Sequence, residues 1–143
     1  MSDPLVTRPF LKWAGNKYRL LDRIRPLLTP GKRLIEPFAG SCALFLNTDY
    51  RLNVLNDNNA DLINIYTSLQ DEADAFIDYA EQFFVAKNNN ETAYYRIRKQ
   101  FNATDDPYLK AAQFIYMNRH GYNGLCRYNN SGGFNVPFGR YKQ

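Results

Sequence analysis

Residues 33–47 constrain the fold of this chain more than any other stretch. They read RLIEPFAGSCALFLN. The apolar pair at 34–35 ends in Glu36, and Pro37 and Gly40 then favour a tight turn over a continuing strand. Ser41 is predicted to cap a helix that begins with the apolar run after it. The stretch therefore predicts a strand, a glycine turn and a helix start, the geometry with which an α/β sheet binds a nucleotide-like ligand.

A second acid follows at the spacing expected for such a site. The apolar run 52–55 predicts the next strand, which closes with Asn56 and Asp57, and Asp57 lies 21 residues after Glu36. A carboxylate about 20 residues beyond the glycine turn is placed to accept hydrogen bonds from ribose hydroxyls. The alternative at this point is an ordinary βα unit with a surface aspartate.

Composition excludes several kinds of site. His120 is the only histidine, and the only cysteines, Cys42 and Cys126, form no CxxC pattern. A zinc site, a disulfide framework and a Ser-His-Asp triad are therefore not expected. Because the sequence has no long apolar run and no secretory signal, we expect a cytoplasmic protein with no membrane partner.

Charge is divided unevenly along the chain. Residues 1–93 carry 10 basic and 12 acidic side chains, whereas residues 94–143 carry 8 basic and 2 acidic ones. A basic segment rich in Tyr and Asn is the composition expected of a surface that contacts a phosphate backbone. A merely solvated basic face is the alternative.

Helical periodicity dominates the middle of the chain. It predicts helices over 18–28, 59–69, 72–85, 91–101 and 107–118. No strand is predicted between about 59 and 120, so a helical insertion interrupts the sheet. Asp106 is predicted to cap the last helix, with Pro107 at its first position, and the sequence Asp-Asp-Pro-Tyr there is interpreted as this cap.

The C-terminal segment predicts a β-hairpin. Residues 125–128 and 134–138 flank a glycine-bearing loop at 129–133. In such an element Arg can recognise guanine edges, Asn, Lys and Arg can hold phosphates, and Tyr can wedge between bases. The alternative is a surface hairpin whose Asn and Gly residues serve only the turn.

The role of Trp13 also has two interpretations, because a lone tryptophan is more often a core or interdomain aromatic than a ligand contact.

The ordered set of motifs closely resembles the Dam-type DNA adenine-N6 methyltransferases. These motifs are FLKWAGNK at 10–17, EPFAG at 36–40, NDN at 56–58, NRHGYNGLCRYN at 118–129 and NVPFGRY at 135–141. Members of that family use S-adenosylmethionine and methylate adenine in short DNA sites, commonly GATC. The resemblance implies an α/β fold. An incomplete Rossmann-like methyltransferase core would occupy 1–59, and an inserted helical and β-hairpin DNA-recognition domain would occupy 60–143.

The resemblance also implies residue roles. The cofactor-binding residues would be Trp13, Ala14, Gly15, Lys17, Glu36, Phe38, Gly40 and Asp57. The residues that contact double-stranded DNA would be Lys12, Arg98, Tyr122, Asn123, Leu125, Arg127, Asn129, Asn135, Pro137, Arg140, Tyr141 and Lys142. Among these, Lys12 would reach a base, Arg127 would recognise a guanine, and Tyr122 would wedge into the duplex. Phosphate contacts would come from Arg98, Asn129, Asn135, Arg140 and Lys142. Cys42 departs from the family pattern, because many relatives carry a second glycine there.

The family's catalytic motif, Asp-Pro-Pro-Tyr, does not occur in these 143 residues, so no catalytic residue is assigned. We expect the chain to be the cofactor-binding and DNA-recognition parts of a methyltransferase. The complete enzyme would flip its target adenine and need no metal, and further chain or a second chain would complete it. The expected setting is the nucleoid of a bacterial or phage-infected cell, with restriction-modification among the possible roles. One alternative is a non-catalytic DNA-binding module derived from such an enzyme. A nicotinamide-dependent Rossmann protein is another, although the turn EPFAGSCA lacks the G-x-G-x-x-G pattern.

Overall fold

The computed structural model describes residues 6–141, and the chain divides into two compact units, Met1–Asn58 and Asn59–Gln143. The first unit contains a small parallel sheet and short helical segments, and the second contains long helices and a hairpin. The expected α/β class is confirmed at this level. The division falls one residue before the predicted domain boundary, and the function assigned to each unit stays a prediction.

The first unit begins with an irregular helical run. A 3-10 helix at Lys17–Leu20 leads into α1, Leu21–Ile24, and a second 3-10 helix follows at Arg25–Leu27. Sequence periodicity predicted one helix over 18–28. Pro26 lies within the last segment and lacks a backbone N–H, so a regular α-helix cannot continue through it.

The sheet has two parallel strands, β1 (Arg33–Glu36) and β2 (Leu52–Leu55), at the positions that the sequence predicted. Ile35 pairs with Val54 in register, and these two residues share a face with Leu52. The exposed fractions of Ile35, Leu52 and Val54 are 58%, 48% and 46%. Leu34 lies on the opposite face, which is buried against the core of this unit.

The helix predicted to begin after Ser41 does not form, so that prediction was wrong. Cys42 has a φ of +58°, a left-handed conformation that cannot occur inside an α-helix. The chain makes further turns and forms only a 3-10 helix at Phe45–Asn47, whose N-cap is Leu44 and not Ser41. The left-handed backbone at Cys42 is the conformation for which glycine is the usual residue.

The second unit is built on three helices, α2 (Ala60–Glu81), α3 (Glu91–Ala103) and α4 (Pro107–His120). α2 spans two predicted helices and is kinked at Glu72, the first residue of the second predicted helix. The predicted cap of α4 is confirmed, because Asp106 Oδ1 accepts hydrogen bonds from the backbone N–H groups of the next turn. Between residues 59 and 120, all of which the structure describes, there is no strand, as predicted.

Aromatic side chains fill the core of the second unit. Phe76, Tyr94, Phe101, Phe114 and Tyr116 each expose less than 2% of their surface. They interact mainly edge-on or tilted; for example, the ring centroids of Phe101 and Phe114 are 6.3 Å apart. Such pairs add to the free energy of burial and fix the relative positions of the helices within this unit.

The hairpin is present in a reduced form. Two isolated antiparallel bridges, Tyr128–Phe134 and Gly121–Phe138, replace the continuous strands that were predicted. The loop between them closes through the backbone N–H of Asn129, which donates to the carbonyl of Gly133 at 2.8 Å. Gly132 in that loop has a φ of +79°.

The described residues contain neither a membrane-spanning helix nor a metal-binding cluster. In residues 6–141 no helix is long and apolar enough to cross a membrane. Over the same range, no three His, Cys, Asp or Glu side chains lie together in a group that could hold a metal ion.

Candidate functional site

Glu36 is the buried centre of the glycine turn in the first unit. It is 3% exposed, and both of its carboxylate oxygens accept hydrogen bonds. Phe45 donates its backbone N–H to Oε1 at 2.9 Å, and Lys17 Nζ donates to Oε2 at 3.3 Å. Lys17 Nζ also donates to the backbone carbonyl of Phe38. Because a buried carboxylate is stable only when paired and hydrogen-bonded, these contacts hold the turn in one conformation.

Asp57 holds the same turn from the end of β2. Its Oδ2 accepts a hydrogen bond from the backbone N–H of Gly40 at 2.9 Å. The backbone carbonyl of Asn56 accepts from Ala39 at 2.8 Å, and the backbone N–H of Asn56 donates to the carbonyl of Glu36 at 2.9 Å. The carboxyl ends of the two parallel strands therefore lie side by side, which is where open α/β sheets bind their ligands.

The Trp13 ring lies directly against this turn. A Cβ atom added to Gly40 would come within 2.9 Å of Trp13 Cδ1 and 3.0 Å of Trp13 Nε1. Gly40 also has a φ of +52°, so both its backbone conformation and the close approach of the indole require glycine. Ala14 and Gly15 form an exposed bend just after Trp13. The structure thus brings all three predicted cofactor segments, 13–17, 36–40 and Asp57, into one place.

In the second unit, three side chains of α3 hold the backbone of the C-terminal strand of the hairpin. Tyr94 Oη and Arg98 Nη1 both donate to the carbonyl of Val136, each at 2.9 Å. Asn102 pairs with both backbone groups of Phe134, accepting from its N–H at 2.8 Å and donating to its carbonyl at 3.0 Å. Residues spaced by four along α3 share one helix face, so this face acts as a partner for the strand.

Burial raises the pKa of Tyr94 well above its usual value, although the positive charge of Arg98 opposes the shift. Tyr94 therefore stays a neutral hydrogen-bond donor. Arg98, one of the predicted phosphate contacts, is half-buried, and its guanidinium lies 4.7 Å from the ring centre of Tyr95. Its contact with Val136 gives it a structural role that the sequence did not reveal.

A polar cluster anchors the first strand of the hairpin. Tyr128 Oη donates to Asp61 Oδ2 at 2.7 Å, and Lys110 Nζ lies 3.4 Å from Asp61 Oδ1. Asn59 Nδ2 donates to Cys126 Sγ at 3.2 Å. Burial raises the pKa of Tyr128 strongly, and its hydrogen bond to Asp61 raises it further. Sequence reasoning missed this cluster because the residues that contact each other are far apart in the chain, 49 positions for Lys110 and Asp61 and 67 for Asp61 and Tyr128.

The other predicted DNA contacts are mostly exposed. Arg127 lies beside Asn135 across the hairpin, while Asn129 Oδ1 accepts backbone N–H groups of the loop. Arg140 Nη2 lies 3.4 Å from Glu91 Oε2 on the surface. Lys142 lies outside the described residues. The exposed members of the predicted set are Lys12, Tyr122, Asn123, Leu125, Arg127, Asn129, Pro137, Arg140 and Tyr141.

Comparison with known proteins decides the family. Residues 13–143 match the family model described as D12 class N6 adenine-specific DNA methyltransferase. The chain belongs to this family. It is 52% identical to the DNA adenine methylase of Vibrio cholerae serotype O1, 50% to that of Escherichia coli K12 and 52% to that of Serratia marcescens. Each match extends over 136 residues and 95% of this chain, so the predicted resemblance is confirmed.

The chain spans about half the length of the curated relatives it matches, 49–50% of each.

A D12-class methyltransferase implies a methyl donor, and the first unit has features that fit one. Ser41 Oγ is buried at the turn with no hydrogen-bond partner among the described residues. Phe38 in the same turn is 77% exposed, and Asp57 is half-buried. An aromatic surface, a carboxylate and an unpartnered hydroxyl are the groups that bind a nucleoside-bearing ligand. From the sequence alone, Ser41 is predicted only as a helix cap.

Proposed function

We propose that this chain supplies the cofactor-binding and DNA-recognition parts of a DNA adenine-N6 methyltransferase. The methyl donor would be S-adenosylmethionine, and the substrate would be an adenine in a short duplex site such as GATC. The observation that supports this most strongly is the convergence of Trp13, the Glu36–Gly40 turn and Asp57 at the carboxyl ends of two parallel strands. Three motifs separated along the sequence meet there.

The roles of the turn residues follow from their contacts. Glu36 accepts hydrogen bonds from Lys17 and Phe45, so it would hold the turn on which the cofactor lies. Asp57 is half-buried, and we assign it the ribose hydroxyls. Trp13, Ala14, Gly15, Phe38 and Gly40 would form the surface against which the cofactor lies. When bound, S-adenosylmethionine supplies a methyl group activated by its sulfonium charge.

The roles in the second unit concern DNA. Arg127 would recognise a guanine, and the exposed Tyr122 would wedge into the duplex beside the flipped adenine. The catalytic Asp-Pro-Pro-Tyr motif does not occur in the 143 residues, and we place it in further chain or in a partner chain. The setting would be the bacterial or phage-infected cell, at its nucleoid, where adenine methylation also serves restriction-modification.

Cofactor binding tests the first unit. Asp57→Ala should weaken binding of S-adenosylmethionine at least about tenfold, because a hydrogen bond to a charged group is lost. Isothermal titration calorimetry of the full-length protein measures this loss, with the exposed Asp49→Ala as the matched control. Equal affinity of the Asp57→Ala and parent proteins would remove the assignment. A protein that binds DNA but not S-adenosylmethionine would favour a non-catalytic DNA-binding module.

Site discrimination tests the second unit. Arg127→Ala should reduce the preference for a GATC duplex over a scrambled duplex by about 1–3 kcal/mol, the free energy of one bidentate base contact. Fluorescence anisotropy at fixed salt measures both affinities. Arg119→Ala, an exposed arginine outside the predicted contacts, is the control. An unchanged ratio of the two affinities in Arg127→Ala would contradict the proposal.

A further inference from the structure

Arg127 and Asn135 lie opposite each other in the hairpin and share three hydrogen bonds. Arg127 Nε donates to Asn135 Oδ1 at 2.7 Å, and Arg127 Nη2 donates to the Asn135 carbonyl at 3.1 Å. The Asn135 backbone N–H donates to the Arg127 carbonyl at 3.0 Å. The guanidinium is therefore held by one of its edges although Arg127 is exposed.

The edge of the Arg127 guanidinium that binds Asn135 decides which of its N–H donors remain for a DNA base. Arginine has five N–H groups in a rigid planar fork. The two bonds to Asn135 use the side edge, formed by Nε and Nη2. The terminal edge, formed by Nη1 and the second N–H of Nη2, is not used by these two bonds. This is an edge that can bind the O6 and N7 acceptors of guanine in a bidentate manner.

The backbone beneath this pair is also fixed. Tyr128 follows Arg127 and points to the opposite face of the strand, where its hydroxyl is bound to Asp61. On the other strand, Phe134 precedes Asn135 and is held by Asn102. Both members of the Arg127–Asn135 pair therefore extend from anchored backbone, so the orientation of the guanidinium depends mainly on Asn135.

We propose that Asn135 is a positioning residue that orients Arg127 for base recognition before DNA binds. This inference rests on the proposed function, because it requires Arg127 to recognise a base. It replaces the phosphate contact predicted for Asn135 with a contribution to specificity. A side chain already ordered in the free protein loses less conformational freedom on binding, so the benefit applies only to the duplex whose base Arg127 recognises.

The test compares GATC and scrambled duplexes by fluorescence anisotropy in the full-length protein. Asn135→Ala should lower affinity for the GATC duplex about three- to tenfold and leave affinity for the scrambled duplex unchanged. Asn135→Asp keeps the oxygen that accepts from Nε, so it should retain the parent ratio of affinities. Asn130→Ala, an exposed asparagine in the same hairpin, is the matched control, and thermal melts verify that each variant is folded.

The outcomes separate this inference from the proposed function. In Arg127→Ala, adding Asn135→Ala should cause no further loss of discrimination. If Asn135→Ala weakens both duplexes by the same factor, Asn135 is a phosphate contact and the inference is overturned. An unchanged ratio in Asn135→Ala, together with a reduced ratio in Arg127→Ala, overturns the inference alone. An unchanged ratio in Arg127→Ala overturns the proposed function itself.

Discussion

In the first unit the candidate site is a turn between two parallel strands, whereas in the second it is a hairpin bound to the side chains of a helix. Backbone conformation forms the turn, with positive φ angles at Gly40 and Cys42 and two carboxylates that accept backbone N–H groups. The hairpin has only two isolated bridges of its own and depends on contacts with residues 32 to 67 positions away.

The surroundings of the two sites differ in the same way. One face of the small sheet leaves Ile35, Leu52 and Val54 about half exposed, whereas the largest aromatics of the second unit are fully buried. A change in the turn should therefore act through strain, and a change around the hairpin should act through lost hydrogen bonds. Four substitutions or conditions test this distinction, in order of decreasing effect.

The largest effect is expected from Gly40→Ala. The added Cβ would meet the Trp13 ring at 2.9 Å, and the alanine would have to keep the left-handed backbone of Gly40. We therefore expect a loss of about 2–4 kcal/mol in unfolding free energy. Trp13 is the only tryptophan, and its fluorescence during urea unfolding reports on this unit. Gly15→Ala is the control, because its φ is +69° but no atom lies within 4 Å, so it should cost only about 1 kcal/mol. Equal losses in the two variants would show that Trp13 does not matter.

Asn102→Ala should have the next largest effect. It leaves the N–H and the carbonyl of the buried Phe134 without their side-chain partner, at a cost of about 1–3 kcal/mol. Near-UV circular dichroism follows the tyrosines, nine of which lie in the second unit. Asn130→Ala should change stability by less than about 0.5 kcal/mol. A parent-like midpoint for Asn102→Ala would show that the hairpin pairs without help from α3.

Alkaline pH should destabilise the second unit. Burial raises the pKa of Tyr116 from 10.0 to about 12, and its hydroxyl donates to the carbonyl of Asn88 at 2.6 Å. Below pH 10 both folded and unfolded states keep this proton. Above pH 10 the unfolded state loses it first, so stability falls as pH rises toward 12.

Between pH 9 and pH 11 the ionisation of Tyr116 should lower the free energy of unfolding by about 1 kcal/mol. Chemical denaturation at the two pH values measures it in the parent protein and in Tyr116→Phe, which lacks the ionisable hydroxyl. Tyr116→Phe should show the smaller decrease. The same decrease in both proteins would assign the alkaline sensitivity to other groups.

The smallest effect is expected from Arg140→Ala. Its ion pair with Glu91 is 3.4 Å long, but both side chains are largely exposed, so its contribution to stability is below about 0.5 kcal/mol. Its proposed phosphate contact should have a larger effect on DNA binding. Losing one such contact reduces the slope of the logarithm of the binding constant against the logarithm of the salt concentration by about one. Anisotropy titrations at several salt concentrations measure that slope. An unchanged slope would remove Arg140 from the predicted phosphate contacts.

Local patterns were enough to predict much of the fold. Both strands, the caps at Asp106 and Pro107, and the break in α2 near Glu72 follow from alternation, capping residues and periodicity within a few positions. The helix expected after Ser41 failed because the backbone is left-handed at Cys42. Glu36 and Asp57 hold the backbone on either side of it, at Phe45 and Gly40, and these contacts outweigh local helix propensity.

The sequence by itself determined the family, the two strands, the long helices of the second unit, and the segments that form the turn and the hairpin. Each of these depends on residues close together in the chain or on an ordered set of motifs. Only the tertiary structure decided that Trp13 lies on Gly40, that α3 binds the backbone at Phe134 and Val136, and that Arg127 donates hydrogen bonds to Asn135. Side-chain contacts between distant residues leave no periodic pattern in the sequence, because each depends on where the folded backbone places a single donor and acceptor.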